Sequence, residues 1–429
     1  MGCGDTDVLH AWLQTVGGMS GSRKPHLTDR SGGVKFGRAR FRTTRRPVRV
    51  GVIGCGYWGP QVIRNFAEMP SVNLVMVADT RSDRRDYVNA HYPHVEVVAD
   101  YQALLKADID CVVVATPIHT HYELARDSLQ SGKHVLVEKP LSRSVAEALD
   151  LTRLAEAHNR VLMVGHTFVY NPAVRALRKI VNGGGLGRIY YVDAARLNLG
   201  LFQQHVDVMW DLAPHDISIF LYTLQRNPVM VSARGTACVQ AAVHDVAYIE
   251  LELEGGLSTH IHVSWLDPCK VRRLTIVGDR KMAVYNDLSF AEKIRIYDRG
   301  VEPPITDSFG DFQLSYRHGK MVVPYVPWRE PLRLQCDHFV HAVETGAPPQ
   351  TGAAQGVAVV AVLEAASQSL ANGGVRVPVA LPGGAATRPP LSGAIGNGLG
   401  NGVGGHGLND GTPRREGRIA LVGSGAEAT

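Results

Sequence analysis

The sequence of 429 residues predicts an α/β protein in two parts. A parallel, doubly wound sheet comes first, and a C-terminal α/β part built on a large, mostly antiparallel sheet follows. Three observations predict this. A short β-branched run, Val48–Ile53, leads through Gly54-Cys55-Gly56-Tyr57-Trp58-Gly59 into a helical pattern. Short apolar runs then alternate with helical stretches as far as Gly165, the pattern of βα units. From about Ile189 the chain reads as successive strands with a hairpin signal.

Composition sets the outer bounds. This length suggests two domains. With 45% hydrophobic and 20% charged residues, a wholly disordered or collagen-like chain is excluded. No uninterrupted apolar run approaches the roughly 18 residues of a membrane-spanning helix, so no membrane partner is expected. The six cysteines (Cys3, Cys55, Cys111, Cys238, Cys269, Cys336) are scattered without a CxxC pair. That argues for a reducing, cytoplasmic setting and against a zinc ribbon or disulfide scaffold. The net charge of +5 belongs to one end: residues 1–49 hold ten Lys or Arg against three acids, and the remainder sums to −2.

Both ends are expected to lie outside the fold. Residues 1–46 are a basic extension without periodicity, read as disordered or as a start codon set too early, with Met19 as the second candidate. Nucleic-acid binding has only this basic tail behind it, so no nucleic-acid partner is expected. Gly2 and Thr6 nominally match a myristoylation pattern. Residues 381–429 hold 14 of the 45 glycines and cannot bury enough surface to offset their ordering entropy.

Residues 47–168 read as the nucleotide-binding part. In G-x-G-x-x-G, Gly54 permits the tight turn, Gly56 lets backbone approach a pyrophosphate, and Gly59 lets the helix pack close to the strand. That helix carries Val62, Ile63, Phe66 and Met69 on its apolar face. Its N-terminus offers free N–H groups and the positive dipole end to phosphate. A second strand, 73–78, ends at Asp79, 20 residues beyond Gly59, where a ribose-binding acid sits in such folds. Its carboxylate favours NAD over NADP, whereas Arg81 could meet a 2′-phosphate; a plain turn acid is the other reading. Further strands are expected at 95–99, 111–115, 134–137 and 161–165, with helices near 83–91, 101–106, 121–131 and 144–159.

Two strand ends carry chemistry. After the fourth strand comes Thr116-Pro117-Ile118-His119-Thr120-His121, and after the fifth Glu138-Lys139-Pro140. A lysine there can meet a substrate oxygen or simply pair with Glu138 at the surface, and the residues alone leave both open. His119 and His121 have no third ligand nearby, so no metal is expected and His121 reads as packing at a helix start.

Residues 169–380 read as the substrate part. Strands are expected at 189–197, 229–239, 245–254, 257–265, 271–278, 281–286 and 292–297. Glu254-Gly255-Gly256 should form a three-residue hairpin loop with Gly in the left-handed region. That register sets Ile249, Leu251 and Leu253 against Ile261, Thr259 and Leu257, and Glu250 opposite His260. One helix interrupts, containing Trp210-Asp211-Leu212-Ala213-Pro214-His215. Pro214 suits a first turn. Asp211 and His215, four apart, share a face and can act as an acid/base pair, or as a capping Asp and a structural His.

The Gly54 fingerprint, Glu138-Lys139-Pro140 and the Asp211/His215 pair together resemble the glucose–fructose oxidoreductase/inositol dehydrogenase/rhizopine-catabolism family, Gfo/Idh/MocA, over about residues 47–380. The resemblance implies a Rossmann domain, a C-terminal sheet domain that commonly forms homo-oligomers, and hydride transfer between a sugar and NAD. It implies Lys139 as the catalytic lysine, with a Lys139–Pro140 bond often cis, and His215 as general base, with Asp211 orienting it or the sugar. Tyr57, Trp58, Thr116, Pro117, His121 and Glu138 fall on the cofactor side, and His166, Tyr170 and Asn171 where relatives build the substrate pocket. The runs Gly-Cys-Gly-Tyr-Trp-Gly-Pro and Trp-Asp-Leu-Ala-Pro-His-Asp are similar to members acting on nucleotide-activated sugars such as UDP-N-acetylglucosamine, at C3. A free polyol such as inositol, or a 3-ketoreductase, is the alternative. Some relatives bind dinucleotide without turnover, and others are NAD-dependent glycosidases; the presence of both Lys139 and His215 argues for turnover.

Overall fold

A computed structural model describes residues 46–203, 206–302 and 315–381. The expectations for both tails, including Gly2, Thr6 and Met19, fall outside these residues.

The first sheet contains β1 (Val48–Ile53), β2 (Val72–Ala78), β3 (Glu96–Val98), β4 (Cys111–Val114), β5 (His134–Glu138) and β6 (Leu162–Gly165), in the order β3-β2-β1-β4-β5-β6. All neighbours run parallel. Its central strands are Val-rich and buried on both faces, as a covered parallel sheet requires. The cover comes from α1 (Gly59–Ala67), α2 (Ser82–His91), α3 (Tyr101–Lys106), α4 (His121–Gln130) and α5 (Val145–Ala157). Asp100 and Ser144 cap α3 and α5 by accepting from Gln102 N and Glu147 N. Strand order reverses between β1 and β4, so their carboxyl ends open a crevice.

The second sheet follows α6 (Pro172–Asn182). It comprises β7 (Ile189–Leu197), β8 (Pro228–Thr236), β9 (Val246–Leu253), β10 (Leu257–Ser264), β11 (Val271–Gly278), β12 (Met282–Asn286), β13 (Ile294–Glu302), β14 (Ser315–Val322) and β15 (Val377–Pro378), with α7 (Val208–Leu224) crossing between β7 and β8. The order is β14-β13-β12-β11-β7-β10-β9-β8-β15. Every pair is antiparallel except β7 with β10. The hairpin register is the expected one: Leu253 faces Leu257, Ile249 faces Ile261 and Glu250 faces His260. Gly255 and Gly256 adopt φ of +79° and +73°. Strands β14 and β15 were not expected. The first is exposed along most of its length and lacks apolar alternation, and the second has two residues.

Two late helices return to the first sheet. In α8 (Pro331–Thr345), Phe339 packs edge-on against Phe66 of α1, with ring centroids 6.5 Å apart. In α9 (Ala353–Ala371), Val357 and Val360 join the core of the first sheet while Val359, Val362 and Leu363 join that of the second. This helix carries apolar residues on two faces because it lies against both cores. By length and composition it is long enough to cross a membrane, and 56% of its apolar window is buried inside the protein. Its apolar run is not uninterrupted, since polar residues such as Gln355 and Glu364 punctuate it.

Removing the Phe339 ring should therefore loosen the late helix from the core of the first sheet. Phe339→Ala is expected to cost about 3–5 kcal/mol, read as a lower urea midpoint with the m-value unchanged.

Candidate active site

The glycine-rich loop turns as its sequence demands. Gly54 sits at φ +100°, and a Cβ there would lie 2.6 Å from the Ala115 carbonyl oxygen. A Cβ on Gly59 would lie 2.6 Å from the Gly54 carbonyl oxygen. Beside Gly56, by contrast, a Cβ would meet nothing within 4 Å, which leaves a cradle for a ligand. Helix α1 has no side-chain cap and no acid in its first turn, so its positive end is available to an anion. Asp79 Oδ2 accepts from Cys55 N at 2.6 Å, and Oδ1 accepts from Arg81 N at 2.9 Å. Each oxygen keeps a lone pair for a ribose hydroxyl. The Arg81 guanidinium is engaged by Asp83 at 2.6 Å. These residues fit a dinucleotide: the loop for its pyrophosphate, Asp79 for its ribose.

At the end of β5 the Lys139–Pro140 peptide is cis. Lys139 Nζ donates to the Asp211 carbonyl oxygen at 2.8 Å and to Asp211 Oδ1 at 3.2 Å. An ammonium has three hydrogens, so one remains for a substrate oxygen. Helix α7 begins at Val208, capped by Asp207, which accepts from Trp210 N. Pro214 thus lies inside the helix and not in its first turn, a correction to the sequence reading. There it removes the N–H that would serve the Trp210 carbonyl and crowds that turn; the next carbonyl, that of Asp211, is the one Lys139 takes.

Asp211 and His215 share a helix face but do not bond. Asp211 Oδ2 accepts from Trp265 Nε1 at 3.1 Å instead, and the buried His215 Nδ1 has no partner among the described residues. Burial, then the charges of Lys139, Arg196 and Arg272, hold the His215 imidazole well below its usual range, so it is neutral and able to accept a proton. Its ring stands edge-on to Phe168. Beneath it, Arg196 and Asp216 form a buried two-point pair at 2.7 and 2.9 Å.

A cavity of about 930 Å³ gathers these groups, with Tyr57, Trp58, Thr116, Glu138, Lys139, Asn171, Asp211 and His215 on its wall. Arg272, Asp287, Lys293, Trp328, Arg329 and Glu330 also line it. Sequence reasoning missed these six because they come from three distant stretches, around Arg272, around Asp287–Lys293 and at 328–330, with no local motif. Glu138 Oε1 is buried without a partner among the described residues. Gly165 makes room for this carboxylate, since a Cβ there would meet Oε2 at 2.9 Å.

Other expected residues sit behind the wall. His121 is buried, with Nδ1 on the Pro140 carbonyl and Nε2 on the Thr116 carbonyl, both at 2.8 Å. It ties the Thr116 turn to the lysine loop without facing the cavity. Pro117 lies at the start of that turn. His166 is fully buried, neither ring nitrogen has a partner among the described residues, and burial pushes it down to about 3. Tyr170 is buried, its hydroxyl 3.0 Å from Thr351 Oγ1. Of the three expected pocket residues, the cavity reaches only Asn171. The Asn171 amide donates to the Tyr285 hydroxyl and to Asp287 Oδ1, and its oxygen caps α6. Among the described residues no cluster of three or more His, Cys, Asp or Glu could hold a metal.

Comparison with known proteins bears on the family and the fold. Residues 48–166 match the family model described as an oxidoreductase family with an NAD-binding Rossmann fold, and residues 174–284 match the GFO/IDH/MocA C-terminal domain. The UDP-N-acetylglucosamine 3-dehydrogenase of Acidithiobacillus ferrooxidans is 31% identical over 59% of this chain and 78% of its own length. Its solved structure superposes with a TM-score of 0.63 at 26% identity, covering 76% of this chain and 98% of that one. The inositol 2-dehydrogenase of Rhizobium meliloti is 24% identical over 76% of this chain and 97% of its own length. A levoglucosan dehydrogenase in complex with NADH and levoglucosan shares the fold, with a TM-score of 0.66 at 19% identity, covering 78% of this chain and all of that one.

Two tests follow from the site's packing. Gly59→Ala forces the loop apart from the helix, an overpacking cost of about 1–3 kcal/mol, and should weaken NADH binding measured by fluorescence. Glu138 is raised from 4.5 to about 7, by burial first, with Lys139 pulling the other way. Between those values the native state holds a proton that the unfolded state has lost, so stability from this group falls as pH rises through that window. Glu138→Gln removes the group, so its Tm should gain on the wild type from about pH 5 to about pH 8. A constant difference would sink this assignment.

Proposed function

The chain belongs to the GFO/IDH/MocA oxidoreductase family, and on that premise we propose that it oxidises a secondary hydroxyl, at C3, of a nucleotide-activated sugar such as UDP-N-acetylglucosamine or its uronate. The observation that carries the reading is the meeting of Lys139, Asp211 and His215 with the glycine-loop residues Tyr57 and Trp58 on one cavity. NAD, when bound, supplies the hydride acceptor. The free hydrogen of Lys139 bonds the reacting oxygen and stabilises charge developing there. Neutral His215 takes the hydroxyl proton. Asp211 holds the lysine in place through its carbonyl and one carboxylate oxygen. The Asp79 carboxylate and the engagement of Arg81 with Asp83 favour NAD over NADP.

The charge of the cavity supports an activated sugar. Arg272, Lys293 and Arg329 line it. Asp287 is already held by Tyr285, Asn171 and Arg272, and Glu330 by Arg64 and Asn65. Arg329 pairs with no acid among the described residues. With Arg272 spent on Asp287, Lys139 on Asp211, and Glu330 held by Arg64 from outside the wall, Lys293 and Arg329 are the cations left over, and they suit a diphosphate or a carboxylate. The exposed rings of Phe290 and Trp328 offer a surface for a flat base. Oxidation of a free polyol is the second reading, favoured by the full-length match to inositol 2-dehydrogenase. Assembly into a homo-oligomer through the nine-stranded sheet is part of the proposal, supported by Tyr191 and Tyr248 exposed on its outer face.

The test is NADH formation with NAD or NADP against UDP- and dTDP-sugars, inositol and glucose, followed by a 3-keto sugar with NADH. Turnover confined to one nucleotide sugar is the expected result, and turnover confined to inositol would transfer the assignment to the second reading. Lys139→Ala should lower kcat by about 10²–10⁴-fold while NADH binding stays at the wild-type level.

A further inference from the structure

We propose that Trp265 is a positioning residue for the reaction, its indole N–H fixing the Asp211 carboxylate so that Asp211 serves Lys139 and leaves His215 alone. The inference rests on the reading of Lys139, Asp211 and His215 given above.

Three donors compete for a short carboxylate. On Asp211, Oδ1 accepts from Lys139 Nζ at 3.2 Å and Oδ2 from Trp265 Nε1 at 3.1 Å. The third candidate is His215 Nδ1, one helical turn away on the same face and without a partner among the described residues. A free Asp side chain would turn between these partners by rotation about its first bond. The indole removes that freedom. It follows β10 directly, is 1% exposed, and is absent from the cavity wall, so it acts through Asp211 and not on substrate.

The indole itself is held on several sides. Its backbone N–H donates to the Asp245 carbonyl at 2.9 Å, and its carbonyl accepts from Gly200 N at 2.8 Å. Gly200 lies so close that a Cβ there would stand 2.7 Å from the ring, and Phe202 packs at a tilt with centroids 5.7 Å apart. A locked ring gives the N–H a fixed direction, which passes to the carboxylate and from there to the lysine.

The groups facing His215 set the readout. Lys139 from the end of β5, Arg196 from β7, Arg272 from β11 and His166 from beyond β6 all oppose its protonation. Asp216 on its own helix is occupied by Arg196, and Asp287 by Arg272 and Tyr285. Asp211 is thus the acid within reach that could favour the imidazolium, and Trp265 turns it away.

Trp265→Phe keeps most of the ring and deletes the N–H. The released carboxylate is expected to swing to His215 Nδ1. The titration of His215, followed by NMR in protein labelled with carbon-13 at histidine Cε1 and assigned with His215→Gln, should then move to higher pH. The acid limb of the kcat profile should move with it, kcat should fall about tenfold, the scale of a hydrogen bond to a charged group, and KM for NAD should hold. Phe202→Leu, which loosens the packing and spares the N–H, should lower Tm without moving the titration. If neither the titration nor the pH profile moves in Trp265→Phe, or Phe202→Leu moves them equally, the proposal falls. Should Trp265→Phe fail to fold, its indole N–H resonance in the otherwise wild-type chain decides: a shift on Asp211→Asn supports the bond, and no shift overturns it. A titration that moves in a protein without any dehydrogenase activity would uphold the positioning and sink the proposed function.

Discussion

The grip of Lys139 on Asp211 joins two halves that are otherwise built on separate sheets. Lys139 closes β5 of the parallel sheet, and Asp211 belongs to α7, which crosses the antiparallel one. Both are partly buried, so their attraction is less screened than a surface pair. The ammonium also projects a positive field into the cavity. Together with burial, that field keeps His215 unprotonated. This contact therefore links the two halves, points the lysine, and adds to the burial that holds His215 below its usual range.

The rest of the molecule preserves that contact. Helix α9 lies against both cores, and Gly356 allows it to approach Val164 and Leu141, where a Cβ would come within 2.7 and 2.9 Å. On the other flank Glu330, at the start of α8, receives Arg64 and Asn65 of α1. The helix that faces the expected pyrophosphate is in this way tied to a segment that lines the substrate cavity. His121 adds a third tie between the Thr116 turn and the carbonyl of Pro140. The glycine loop and the cavity wall opposite are thus held by separate elements braced against one another, which is the rigidity that the proposed alignment of two carbons would need.

The buried Arg196–Asp216 pair has a different role from the lysine bridge. Both groups are about 5% exposed, and Phe168 lies over the guanidinium at 4.4 Å. A buried pair of this kind adds little net stability. Its effect is electrostatic and geometric: it consumes Asp216, the acid beside His215, and it holds the Phe168 ring against which His215 stands.

Much was legible in the sequence because steric and periodic rules are local. The order of residues around Gly54 dictates a turn only glycine can make, and alternation around Glu254 dictates a hairpin register that one slipped residue would invert. Those rules gave the two sheets, the strand ends and the positions of Lys139, Asp211 and His215. They could not give partners. Whether Asp211 bonds His215, four residues away, or Trp265, 54 residues away, depends on where β10 brings an indole. Whether His166 and Tyr170 face the cavity or lie behind it depends on how the segment after β6 packs beneath α8. The cations Lys293 and Arg329 carry no motif, because a charge surplus is a sum over elements and not a property of any one. The sequence by itself determined the backbone turns and the groups available for chemistry. Only the tertiary structure decided which of them share water-excluded space, because desolvation and pairing act across distances in the chain that no local pattern encodes.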